Sequence, residues 1–177
     1  MRSFFRLSLF QSIILFLFLN GVGISQEESN GKSFGISALV QDGQFDIMLP
    51  LVISNKGIIA PAIGLASVSD AGTDISLGFV GRFYLNDSKV KPFLGGRAGI
   101  LIFSPSKQEG SSIDPESTTD FILGFLAGGE YFLDEGFSLG VEAQLNASVS
   151  DKNSSRFGNP DGININTGAA VFATVYF

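Results

Sequence analysis

Histidine, cysteine and tryptophan are all missing from the 177 residues of the chain. The usual zinc ligands are therefore absent, no disulfide or thiol nucleophile can form, and a Ser–His or Asp–His relay cannot be built. Charge is scarce as well: charged residues make up 16%, against about 25% in ordinary soluble domains. Lys and Arg together number 11 and the formal charge is −6. Only Lys89, Lys91 and the separate Arg97 come near one another, so the clustered cations of a nucleic-acid partner are not there. No glycine-rich phosphate loop opens a helix. The loop carboxylates Asp114, Glu116, Asp151 and Asp161 do not have the spacing of a calcium loop and read as solvated charge. These absences predict a protein with no catalytic residue, no metal and no cofactor.

What the chain has instead is apolar surface and glycine: hydrophobic residues reach 45%, with 18 Phe and 22 Gly. That is too apolar for disorder, and the length suits one domain. The first residues carry Arg2 and Arg6, then an apolar run from Leu7 to Leu19, then the small residues Gly23 and Ser25 before Gln26. This is the pattern of an export signal cleaved after Ser25. Gln11, Ser12 and Asn20 interrupt the run and leave it short of the roughly 20 apolar residues a spanning helix needs. The expected organisation is a signal peptide at 1–25, a polar lead-in at 26–32 and one domain at 33–177.

That domain reads as strand, turn, strand. In 137–149, Phe137, Leu139, Val141, Ala143, Leu145, Ala147 and Val149 alternate with Ser138, Gly140, Glu142, Gln144, Asn146 and Ser148. Strict period two over such a length specifies a strand. The same alternation runs through 73–85 and 163–177, and less regular strands are expected at 33–40, 45–53, 58–67, 90–103 and 119–133. Ser54-Asn-Lys-Gly57, Asn86-Asp-Ser-Lys89 and Asp134-Glu-Gly136 are tight turns. The intervening connections include the two long polar loops, 104–118 and 150–162. Short and long connections therefore alternate along eight strands, which predicts an all-β fold: an eight-stranded antiparallel up-and-down transmembrane β-barrel with all long loops at one end.

A membrane barrel points its apolar set outward, the reverse of a soluble one. The polar set here offers mostly Gly, Ser, Asn and Gln with almost no Lys, which is not a water-facing surface. Phe83, Tyr131, Phe137 and Phe177 fall near the short-turn end, where an interfacial aromatic girdle would lie. On this reading Arg82, Arg97, Glu130 and Glu142 face inward from four successive strands and are expected to neutralise one another, because unpaired charge in a narrow lumen is costly. Inward glycines, among them Gly78, Gly95, Gly99, Gly124, Gly128 and Gly140, would leave room beside those long side chains.

The segments Gly81-Arg-Phe-Tyr-Leu-Asn86, Lys91-Pro-Phe-Leu-Gly-Gly-Arg-Ala-Gly99, Gly128 to Glu142 and Val171 to Phe177 resemble the small outer-membrane β-barrel proteins of the OmpA-transmembrane, OmpX and OmpW type. The resemblance covers about 33–177. It implies residence in a bacterial outer membrane, surrounded by outer-membrane lipid. It also implies that Val171, Ala173, Val175 and Phe177 form the terminal signal read by the barrel-assembly machinery, and that the inward Arg and Glu set matches the family's internal salt-bridge cluster. Enzymes among such barrels depend as families on histidine, so the expected role is non-enzymatic: structural, or surface contact with an extracellular ligand through loops 104–118 and 150–162. Two alternatives stay open at this point, a narrow pore or conduit for small apolar solutes and a soluble secreted ligand-binding β-barrel.

Overall fold

The computed structural model describes residues 32–41, 44–68, 72–106 and 116–177; the expected signal peptide and nearly all of the lead-in lie outside the described residues. Nine strand segments follow in order: β1 (Gly35–Gln41), β2 (Gln44–Met48), β3 (Leu51–Ser54), β4 (Gly57–Val68), β5 (Gly72–Tyr84), β6 (Val90–Pro105), β7 (Thr118–Phe132), β8 (Phe137–Val149) and β9 (Ile163–Tyr176). All pairings are antiparallel. The sheet runs β2-β1-β9-β8-β7-β6-β5-β4-β3, and β2 also pairs with β4. Because β2 and β3 lie along the same neighbour, β4, they form one wall, and the sheet closes as an eight-walled barrel with no free edge at its seam.

The expected strand at 45–53 is thus broken in two. The cause is Pro50, which cannot donate to a ladder. Around it Leu49 N donates to Pro61 O at 3.0 Å, Gly35 N donates to Pro50 O at 2.7 Å and Val52 N to Ser33 O at 3.0 Å. The remaining strands match the alternation to within two residues at most ends.

Side-chain caps fix the short turns. Ser54 Oγ accepts from Lys56 N, Asn86 Oδ1 from Ser88 N, and Asp134 Oδ1 from Gly136 N at 2.6 Å. Such local acceptors are why Ser, Asn and Asp sit in turns. The first and last strands meet at the same end, where Ser33 N donates to Phe177 O at 3.0 Å. The connection 150–162 lies at the opposite end; of the expected loop 104–118, residues 107–115 lie outside the described residues.

The period-two pattern places the apolar set outside. Leu123 is 66% exposed, Phe79 60% and Ile165 75%, and exposed Leu, Ile, Val and Phe recur on every wall. A soluble barrel would bury this set, since a contiguous apolar surface on that scale is not tolerated in water. The opposite face holds Ser37, Asp46, Ser76, Arg82, Glu130, Glu142, Gln144 and Asn146, all buried. The chain therefore has a lipid-type exterior around a filled polar and aromatic interior.

Candidate functional site: the filled barrel interior

Arg82 on β5 and Glu142 on β8 meet across the lumen at 2.8 Å, with both side chains 1% exposed. Two rings clasp the guanidinium, with its carbon 3.8 Å from the Phe172 ring centroid and 4.9 Å from that of Phe93. Desolvated cation–π contact adds to the ion pair where water is excluded. The rings need space that only glycine leaves: a Cβ at Gly140 would collide with the Phe172 ring, and one at Gly128 with Phe93. These two glycines therefore accommodate the aromatic rings that hold Arg82, whereas Gly124 stands against Arg97 and Asn146.

Arg97 on β6 takes different partners. Its Nη1 donates to Gln144 Oε1 at 2.7 Å and to Gln41 Oε1 at 3.3 Å, while Gln144 Nε2 donates to Glu142 Oε1 at 2.8 Å. A chain of contacts thus runs Arg97–Gln144–Glu142–Arg82. Glu130 stands apart from it, fully buried, held by hydroxyls in place of an arginine. Tyr84 Oη donates at 2.5 Å, Ser138 Oγ at 2.5 Å and Tyr176 Oη at 2.9 Å. The expected four-charge cluster is corrected to a linked trio plus one hydroxyl-solvated carboxylate. Three charge-assisted donors can replace most of a carboxylate's hydration.

Alternation in the sequence places Tyr84 and Tyr176 on the polar face, but nothing local says that their hydroxyls converge on Glu130. Also missed were Lys91, whose Nζ lies 4.8 Å from the Phe132 ring centroid and 5.7 Å from that of Tyr84, and Asp46, which receives Gln44 Nε2 at 2.8 Å and Ser76 Oγ at 3.2 Å. With Phe93, Phe132 and Phe172, the two tyrosines close the lumen toward the short-turn end, their rings in edge and stacked contact with centroids 5.7 to 6.4 Å apart. Above that plug a void beside Arg97, Asp46 and Ser76 measures about 20 Å³, roughly the room of one water.

On the outer surface Phe83, Tyr131 and Phe177 are 55%, 42% and 53% exposed, and Phe137 is half-buried. Phe177 stacks on Phe34 at 5.4 Å, and Lys89 Nζ lies 5.3 Å from the Tyr131 ring centroid. Exposed aromatics are not confined to this end, because Phe79, Phe121 and Phe125 also face out farther along the walls. On β9, Val171 and Val175 point outward beside a half-buried Ala173. Among the described residues no group of His, Cys, Asp and Glu is arranged to hold a metal ion.

No family model matches the chain, and no curated protein matches it. Solved structures do. Neisserial surface protein A has a TM-score of 0.55 at 18% identity, the match covering 82% of this chain and 94% of that one. The N-terminal β-barrel domain of Pseudomonas aeruginosa OprF has a TM-score of 0.53 at 11% identity, covering 82% and 99%. Ail, the attachment invasion locus protein of Yersinia pestis, has a TM-score of 0.44 at 16% identity. The fold is that of small outer-membrane β-barrels.

Proposed function

We propose that the chain is a non-enzymatic integral protein of a bacterial outer membrane, whose sealed barrel serves as a rigid scaffold holding its long-loop end outward for surface contact. The observation that carries this reading is the Arg82–Glu142 pair clasped between Phe93 and Phe172. It occupies the lumen that a solute would have to traverse, and eight strands leave space for little beyond the barrel's own side chains. The outward apolar walls support contact with outer-membrane lipid. The outward Val171, Val175 and Phe177 support β9 as the strand engaged by the barrel-assembly machinery. Loops 104–118 and 150–162 are the elements offered to an extracellular ligand, since exposed loops on a rigid frame are where binding resides.

The test is conductance of the purified barrel in planar bilayers, together with uptake into liposomes. The scaffold reading predicts silence in both. Steady channels, or uptake of a small solute, would replace it with the conduit reading.

A further inference from the structure

The connection between β8 and β9 does not stand away from the barrel. Asp120, inward on β7 and fully buried, accepts from Asp151 N at 2.8 Å and from Ser154 Oγ at 2.8 Å. Arg156 Nε lies 3.3 Å from Asp120 Oδ2, near enough for an ion pair though off the line of a hydrogen bond. The same guanidinium pairs through Nη2 with Asp74, an inward position on β5. Since β6 and β7 separate β5 from β8 in the sheet, the Arg156–Asp74 pair crosses the mouth as a chord.

The crossing buries polar side chains that the end of an open barrel would leave wet. Ser148 on the wall is 0% exposed, and Ser150 and Ser154 of the connection itself are 5% and 2% exposed. Ser150 Oγ accepts from Asn164 Nδ2 at 3.0 Å, and Ser148 Oγ has no partner among the described residues. A cavity of about 310 Å³ lies between the connection and the rim, lined by Asp74, Phe103, Glu116, Thr118, Asn153 and Arg156 among others. The connection therefore covers the mouth without being packed solid against it, and a few polar contacts hold it closed.

We propose that residues 150–162 form a lid over the long-loop mouth, latched by Arg156 to Asp74 on β5 and Asp120 on β7, two walls that flank β6, so that breaking the latch opens the polar upper interior to solvent. The lid closes the upper end, and the aromatic plug independently closes the lower. Groups held only by a few polar contacts belong to the low-stability end of a structure and open locally while the rest stays folded. Below the lid a row of inward polar side chains descends along β8 from Ser148 through Asn146 and Gln144, which receives Arg97.

The cysteine-free chain makes the test direct. Ser148→Cys places a single thiol under the lid and Lys152→Cys places one on its exposed outer side. In the latched protein, refolded in detergent, a charged methanethiosulfonate reagent is expected to react with the first about tenfold more slowly than with the second. Adding Asp120→Asn should raise the Ser148→Cys rate about tenfold, the factor that follows from losing one charge-assisted contact. Equal rates at the two positions in the latched protein, or a Ser148→Cys rate unmoved by Asp120→Asn, would overturn the lid. A second measurement needs no cysteine variant: trypsin should cut after Arg156 slowly in the unmodified chain and faster with Asp120→Asn, and fast cutting in both would count against it.

Discussion

Arg82 and Glu142 lie 60 positions apart in the chain, yet meet at 2.8 Å in the middle of the lumen, buried from water on all sides. Two charges removed from solvent are stabilising only while each keeps the other. Arg82→Leu alone should therefore lower the barrel's unfolding stability by about 3–5 kcal/mol, because Glu142 is left buried without its cation. Arg82→Leu with Glu142→Leu should recover most of that loss. Urea titration followed by the folded-to-unfolded gel shift measures both; a double variant no better than the single one would show that the pair does not act as a unit.

The ring contacts depend on glycine. Gly140→Val should clash with Phe172 and cost about 1–3 kcal/mol through overpacking. Gly129→Ala, where an added Cβ meets nothing within 4 Å, should leave the urea midpoint in place. Equal effects at the two positions would contradict the packing described.

Around Glu130 the three hydroxyl donors are predicted to act singly and unequally. Tyr84→Phe and Tyr176→Phe should each cost about 1.5–3 kcal/mol, the range for a hydrogen bond to a charged group. Tyr84, the more deeply buried of the two at 4% against 7% exposed, is expected to be the more costly to replace, since the hydrogen bond it loses is the less accessible to water. Denaturant midpoints of the two variants decide the order.

The outward face is tested by adding charge to it. Leu123 is 66% exposed, and Leu123→Arg should destabilise a lipid-embedded barrel by about 2–4 kcal/mol if it lies near the bilayer midplane. On a protein surrounded by water the same change would be nearly neutral. Reversible unfolding from lipid vesicles reads the difference.

The strands were legible because two-residue periodicity is a direct imprint of the pleat: β5, β8 and β9 could be bounded at 73–85, 137–149 and 163–177. The break in the second wall was also written in the chain, at Pro50, but that wall's own alternation is weak. The interior partners were not legible. Glu130 and Arg97 are visible as inward charges, yet whether each meets an ion, an amide or a hydroxyl depends on register between strands far apart in sequence. Tyr84, Ser138 and Tyr176 carry no local signal of convergence. Asp74, Asp120 and Arg156 come from two strands and a loop, so no spacing in the sequence announces their meeting.

The central claim, a closed barrel with an apolar exterior made for lipid, is tested most directly by electrophoresis of the protein extracted from outer membranes, loaded with and without boiling. A closed barrel resists detergent unfolding until heated, so the unboiled protein is predicted to migrate apart from the boiled one and to need detergent to stay in solution. A protein that remains soluble without detergent and migrates identically before and after boiling would contradict the account.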